Sequence, residues 1–156
     1  YKALFWIPDQ VGDDKWNGFV IQRNKVITMN LTKREFGNIG ENLAVEFLTK
    51  REYKILFRNY RIKNIGEIDI ITKKNERIVF FEVKTRNVLH TLNFPIEYSI
   101  DKKKRRNLMK ICQLYLFENK FISSIDWQVD AIFVKIDDRG DCKIDHLENI
   151  LWEQYY

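Results

Sequence analysis

Gly66-Glu67-Ile68-Asp69-Ile70-Ile71, then the polar link Lys73-Lys74-Asn75-Glu76, then Ile78-Val79-Phe80-Phe81-Glu82-Val83-Lys84 is the stretch that decides the fold. Two short runs rich in isoleucine, valine and phenylalanine, joined by a link of hairpin length, read as adjacent strands. Positions 78–81 are apolar throughout, as in a strand covered on both faces. Yet Glu67, Asp69, Glu82 and Lys84 interrupt these runs, with Asp69 thirteen positions before Glu82. A carboxylate buried among such neighbours costs on the order of several kcal/mol unless a cation or hydrogen-bond donors compensate it. Positive charge is therefore expected between the two strands.

Outward from the hairpin, the spacing of Gly40, Leu43, Ala44, Phe47 and Leu48 predicts a helix over 38–51. Residues 53–60 read as a first strand, 67–72 as a second and 77–85 as a third. A loop over 87–99, containing Pro95, leads to a second helix over 101–119, where Leu108, Ile111, Cys112, Tyr115 and Leu116 form an apolar stripe. Residues 129–136 give a fourth strand, 137–140 a turn and 142–147 a fifth strand. The order is α-β-β-β-α-β-β, an α/β domain with a mixed central sheet of four to five strands flanked by helices. No internal repeat or low-complexity tract is present. Residues 1–28 show no sustained periodicity and read as an N-terminal appendage of uncertain structure, leaving 29–156 as the domain.

A chain of 156 residues with 45% hydrophobic and 31% charged content is of globular type and long enough to bury roughly two-thirds of its unfolded surface. The apolar stretch at 3–7 is too short for a membrane span or a signal-peptide core, so no membrane partner and a cytoplasmic location are expected. Cys112 and Cys142 stand in no metal-binding spacing and are expected to be reduced; with only His90 and His146, a histidine-rich zinc site is disfavoured. The net charge is +5, and Lys102, Lys103, Lys104, Arg105, Arg106 and Lys110 crowd one helix. Such a patch is the electrostatic footprint of a polyanion binder, or else a solvated helix face.

Side chains two apart on a strand share a face, so Glu82 and Lys84 point together. If the hairpin strands are adjacent, Asp69 and Glu82 can converge on one hard cation. Magnesium, which accepts few protein carboxylates and keeps waters and substrate phosphate as its other ligands, suits that pair, with manganese as a substitute. A cation there polarises a phosphodiester and helps generate hydroxide, and Lys84 beside it can hold the attacking water and offset charge on phosphorus. The competing reading makes Glu82 and Lys84 an ion pair on a solvated strand face and Asp69 a carboxylate near a turn.

Gly40-Glu41, Arg58-Asn59-Tyr60-Arg61, the run from Gly66 to Ile71, Phe81-Glu82-Val83-Lys84-Thr85-Arg86 and Ile144-Asp145-His146 resemble the YraN family of bacterial endonuclease-like proteins, over about residues 29–151. The resemblance implies a restriction-endonuclease-like core, whose mark is an aspartate followed by an acid-any-lysine triplet. It implies Asp69 and Glu82 as metal ligands, Lys84 as the catalytic lysine and Glu41 as an auxiliary catalytic acid. Glu41 could equally complete a helix cap with Asn38. Lys104 matches the family's lysine at the start of the second helix, and His146 matches a family position where a structural role is the commoner one. Ile68 stands where the superfamily's nominal motif has proline, and 87–94 lacks the glycines usual after the triplet.

The function expected is a magnesium- or manganese-dependent endonuclease hydrolysing DNA without sequence-specific recognition, with Lys102, Lys103, Lys104, Arg105, Arg106, Arg86 and Arg61 as nucleic-acid contacts. Two alternatives stand beside it, a nucleic-acid-binding module of the same fold that does not turn over and a partner-binding protein whose acids merely pair with Lys84 and Arg86. A homodimer is compatible with such chemistry, though no residue demonstrates one.

Overall fold

The computed structural model describes residues 31–87, 102–121, 125–137 and 139–151. The expected appendage at 1–28, His90 and the loop around Pro95 lie outside the described residues.

The elements are α1 (Lys33–Thr49), β1 (Lys54–Ile62), β2 (Gly66–Lys74), β3 (Arg77–Asn87), α2 (Lys102–Glu118), β4 (Asp126–Ile136) and β5 (Cys142–Leu147). They form one five-stranded sheet in the order β1-β2-β3-β4-β5. Neighbours are antiparallel except β3 and β4, which run parallel because the connection carrying α2 crosses over between them. The chain order, α-β-β-β-α-β-β with a mixed five-stranded sheet, is the one the sequence predicts.

The first helix begins five residues before the expected start at 38. Thr32 and Glu35 form a reciprocal capping box: the Thr32 backbone N–H donates to Glu35 Oε2 at 2.8 Å and Glu35 N–H donates to Thr32 Oγ1 at 3.2 Å. Asn38 therefore lies inside α1, and the idea that it caps the helix together with Glu41 is corrected. Between β2 and β3 the pairing runs to Lys74↔Arg77, leaving a two-residue turn in which Asn75 takes φ 53°.

The sheet separates two apolar layers. On one face Ile71, Ile78, Phe80, Val129, Ala131 and Phe133 pack against Leu108, Ile111, Cys112, Tyr115 and Leu116 of α2, the stripe the sequence predicts. Tyr115 is the hub of that layer, edge-on to Phe57, Tyr60 and Phe80 at 5.3–5.8 Å. On the other face Ile70, Val79, Phe81, Val83, Ile132, Val134 and Ile136 pack against Ile39, Leu43, Ala44 and Leu48 of α1. Neither cysteine is in a disulfide, and burial pushes both thiols up, Cys142 to about 11. Among the described residues no helix is long and apolar enough to cross a membrane.

Candidate active site

The sheet forks at Asp69. Pairing between β2 and β3 ends at Ile70↔Phe81, whereas β2 stays paired with β1 to Gly66 and β3 stays paired with β4 to Asn87. The cause is local. Ile68 packs in the α2 layer and Ile70 in the α1 layer, so the alternation of a regular strand breaks between them. Opposite in β1, Asn59 adopts φ 52°, Arg58 donates to Asn42 of α1 at 2.7 Å, and Tyr60 packs in the α2 layer. Both strands switch faces at this one step with their mutual register unchanged, and there the pairing of β2 with β3 ends.

Asp69 bridges the gap that results. Its Oδ2 accepts the Val83 backbone N–H at 2.7 Å, and the side chain is 8% exposed. Continuing the register one step sets Asp69 across from Glu82, which is 1% exposed. Burial first, and the Glu82 charge second, push the Asp69 carboxyl up to about 7, while the Val83 N–H and Lys104 pull it down. The reading of Glu82 and Lys84 as a pair on a solvated strand face is thereby corrected: the glutamate is in the interior.

Two ammonium groups answer Glu82. Lys84 Nζ donates to its Oε1, from the same face of the same strand. Lys104 Nζ, from the first turn of α2, stands 2.9 Å from Oε2. That second oxygen accepts no hydrogen bond among the described residues, so its contact with Lys104 is an ion pair without donor alignment. The positive charge that the sequence demands is supplied by lysines from two elements, of which Lys104 had been assigned to phosphate.

Glu41, in the third turn of α1, accepts from Asn59 Nδ2 at 3.1 Å. Burial raises its pKa chiefly, with Glu67 and Glu82 adding to the rise against Asn59 and Arg58. It lies within electrostatic reach of the pair, but no cluster of three or more His, Cys, Asp or Glu side chains able to hold a metal occurs among the described residues. Asp69 and Glu82 are the two buried carboxylates that could hold a cation here. Hard oxygen donors that share excess negative charge, one with an oxygen lacking any hydrogen bond, fit a small divalent cation whose remaining ligands are water or substrate oxygen.

The basic run divides into distinct roles. Lys102, Lys103 and Arg106 are exposed, Lys104 faces Glu82, and Arg105 Nη1 donates to the Ile150 carbonyl. Arg86 is exposed at the C-terminal end of β3, its Nη1 donating to the Thr85 carbonyl at 3.2 Å. Arg61 pairs with Glu67 at the surface.

His146 is not brought to this site. Its Nε2 is 2.8 Å from Asp130 Oδ2, and its ring packs against Phe47, Tyr53 and Phe81. Asp130, fully buried on β4, also accepts Gln128 Nε2 at 2.9 Å and the Asn149 backbone N–H at 2.9 Å. Gln128 in turn accepts Arg77 Nη1 at 2.7 Å. Asp130 escaped the sequence reading although the argument applied to Asp69 covers it equally, since it lies between Val129 and Ala131-Ile132.

The uncharacterised protein family UPF0102 matches residues 40–134, a span containing Glu41, Asp69, Glu82, Lys84 and Lys104. The UPF0102 protein of Acetivibrio thermocellus is 38% identical over 109 residues, covering 70% of this chain and 82% of its own length. That of Caldicellulosiruptor saccharolyticus is 47% identical over 90 residues, covering 58% and 74%. That of Alkaliphilus oremlandii is 41% identical over 118 residues, covering 74% and 97%. Among solved structures the chain is similar to SfsA of Pyrococcus furiosus in complex with Ca2+, at 12% identity and a TM-score of 0.36, covering 91% of this chain and 74% of that one.

Proposed function

This chain belongs to the uncharacterised protein family UPF0102, the YraN family of the sequence resemblance, and from that premise and the forked sheet we propose that it is a magnesium- or manganese-dependent endonuclease hydrolysing phosphodiester bonds in DNA. The observation that carries the reading is the pair of buried carboxylates, Asp69 and Glu82, at the step where the pairing of β2 with β3 ends. Bound between them, a divalent cation would polarise the phosphodiester and lower the pKa of a coordinated water.

The chain's own groups do the rest. Asp69 is held across the fork by the Val83 N–H, so its second oxygen is presented rather than free to rotate. Lys84, fixed on β3 by the ladder to Phe133, sets an ammonium beside the reacting phosphate to orient water and stabilise developing negative charge. Lys102, Lys103, Arg106 and Arg86 provide exposed cations for the phosphate backbone, a contact that positions the duplex without reading bases. Glu41 is an auxiliary acid that adds negative potential and acts through Asn59.

Nicking of supercoiled DNA by purified protein, with magnesium, manganese or chelator, tests the reading. Asp69→Asn, which keeps an acceptor for Val83, and Lys84→Ala should each abolish cleavage by at least a hundredfold. Cleavage that survives both, or that persists in chelator, refutes the assignment. The full neutralisation of Glu82 by two lysines favours a second reading, a nucleic-acid-binding module of the same fold. DNA binding that weakens steeply with salt, with no cleavage of any substrate under either metal, would decide for it.

A further inference from the structure

Glu82 has a cation on each oxygen, and the two cations are held very differently. Lys84 belongs to β3, whose backbone is paired with β4 from Arg77 to Asn87, and its ammonium reaches Oε1 from two residues along the same strand. Lys104 comes from another element. It extends from the first turn of α2 with 31% of its side chain exposed, and it meets Oε2 at 2.9 Å without forming a hydrogen bond. Lys104 also pulls the Asp69 carboxyl down, so its ammonium lies within reach of both acids that a divalent cation would share.

Charge settles which lysine yields. Two carboxylates against two ammonium groups are neutral; adding a dication while both lysines stay leaves an excess of two positive charges in a poorly solvated space. Departure of one ammonium halves that excess. Lys84 holds Oε1 through a hydrogen bond, whereas Lys104 meets Oε2 without one, so of the two contacts with Glu82 the one to Lys104 costs less to give up. Released, its ammonium joins the exposed Lys102 and Lys103 at the positive end of α2, whose first turn carries no acid, a like-charged setting that an anion arriving there relieves.

We propose that Lys104 is an exchangeable counter-cation, which neutralises Glu82 in the metal-free protein and is displaced by the divalent cation, so that its ammonium becomes available to the DNA phosphate next to Lys102 and Lys103. This rests on the metal reading above and assigns Lys104 as a positioning residue that couples metal loading to substrate binding. Metal and DNA then bind cooperatively, because each takes the partner that the other releases.

The test uses the full chain and manganese. In the wild-type protein, acylation of lysines by a small amine-reactive reagent, read by mass spectrometry, should proceed several-fold faster at Lys104 in saturating manganese than in chelator, with Lys102 unchanged. By calorimetric titration, Lys104→Met should bind manganese about five- to tenfold more tightly than wild type, since no resident ammonium competes. Lys103→Met, which removes the same charge one residue away, should leave the affinity within about twofold. Unchanged labelling of Lys104, or an equal gain in both variants, overturns the exchange while leaving the metal site intact. Absence of manganese binding in all three proteins overturns the exchange together with the metal reading.

Discussion

Gly40→Ala places two physical effects in direct opposition, and their balance follows from the structure. In an exposed helix the change would stabilise by about 1 kcal/mol, because alanine loses less backbone entropy than glycine on folding. Gly40, however, is a buried residue of α1 pressed onto β3, and a Cβ there would stand 2.8 Å from Thr85 Cβ and 2.9 Å from Thr85 Cγ2, with Oγ1 closer still. Carbon atoms attract at about 3.5–4.0 Å and repel steeply inside that. Thr85 cannot readily recede, since it is paired with Val134 in the parallel ladder, with two further pairs beyond it. Overpacking costs about 1–3 kcal/mol, and three contacts inside 3.0 Å belong to the upper part of that range, about 2–3 kcal/mol, so Gly40→Ala should be net destabilising by about 1–2 kcal/mol in urea unfolding at constant m. Thr85→Ala removes Oγ1 and Cγ2 but leaves the 2.8 Å contact, so the double variant should recover only part of the loss. Because Thr85 follows Lys84, the displaced strand should also lower metal-dependent cleavage in the folded variant. A Gly40→Ala protein as stable as wild type, or more so, would refute the packing argument and show that α1 floats on the sheet.

The Asp69 carboxyl has a folded pKa above its ordinary value, so the folded chain retains a proton that the unfolded chain has released. The stabilisation that the metal-free protein draws from Asp69 should therefore be full below about pH 4 and be lost, on the order of a few kcal/mol, as pH rises to about 7, a slope that Asp69→Asn should remove in calorimetric melts across that range. Thr32→Ala removes the side-chain half of the capping box and should cost about 1 kcal/mol in urea unfolding without touching cleavage. Asp130→Ala leaves the buried Gln128, the half-buried His146 and the Asn149 N–H without their acceptor and should cost about 2–4 kcal/mol, seen as a large fall in melting temperature.

The strands and their order were legible because continuous apolar runs separated by polar links leave few alternatives, and the observed β5 coincides with the expected 142–147. Asp69, Glu82 and Lys84 were legible for the reason that makes them costly: a charge inside such a run needs a partner. The start of α1 was missed although Thr32-Lys33-Arg34-Glu35 has the capping-box spacing; the apolar repeat begins later and drew the boundary with it. The fork was not legible. It depends on Asn59 adopting a left-handed backbone opposite Asp69, a choice that two strands make jointly. Nor could the sequence pair Lys104 with Glu82, because that contact depends on where the crossover sets α2 down on the sheet.

Five pairs join β2 to β3, against seven between β1 and β2 and eleven between β3 and β4. The sheet is in effect two stiff leaves on a short hinge, and the free margins of the leaves carry the two acids. The spacing of those acids is accordingly open to opening and closing of the hinge, and an ion or phosphate held by both would tighten the two leaves at once. Slower amide exchange on ligand capture should be concentrated at the last rungs of the hinge, around Ile70 and Phe81, and leave the interior of β4 as it was.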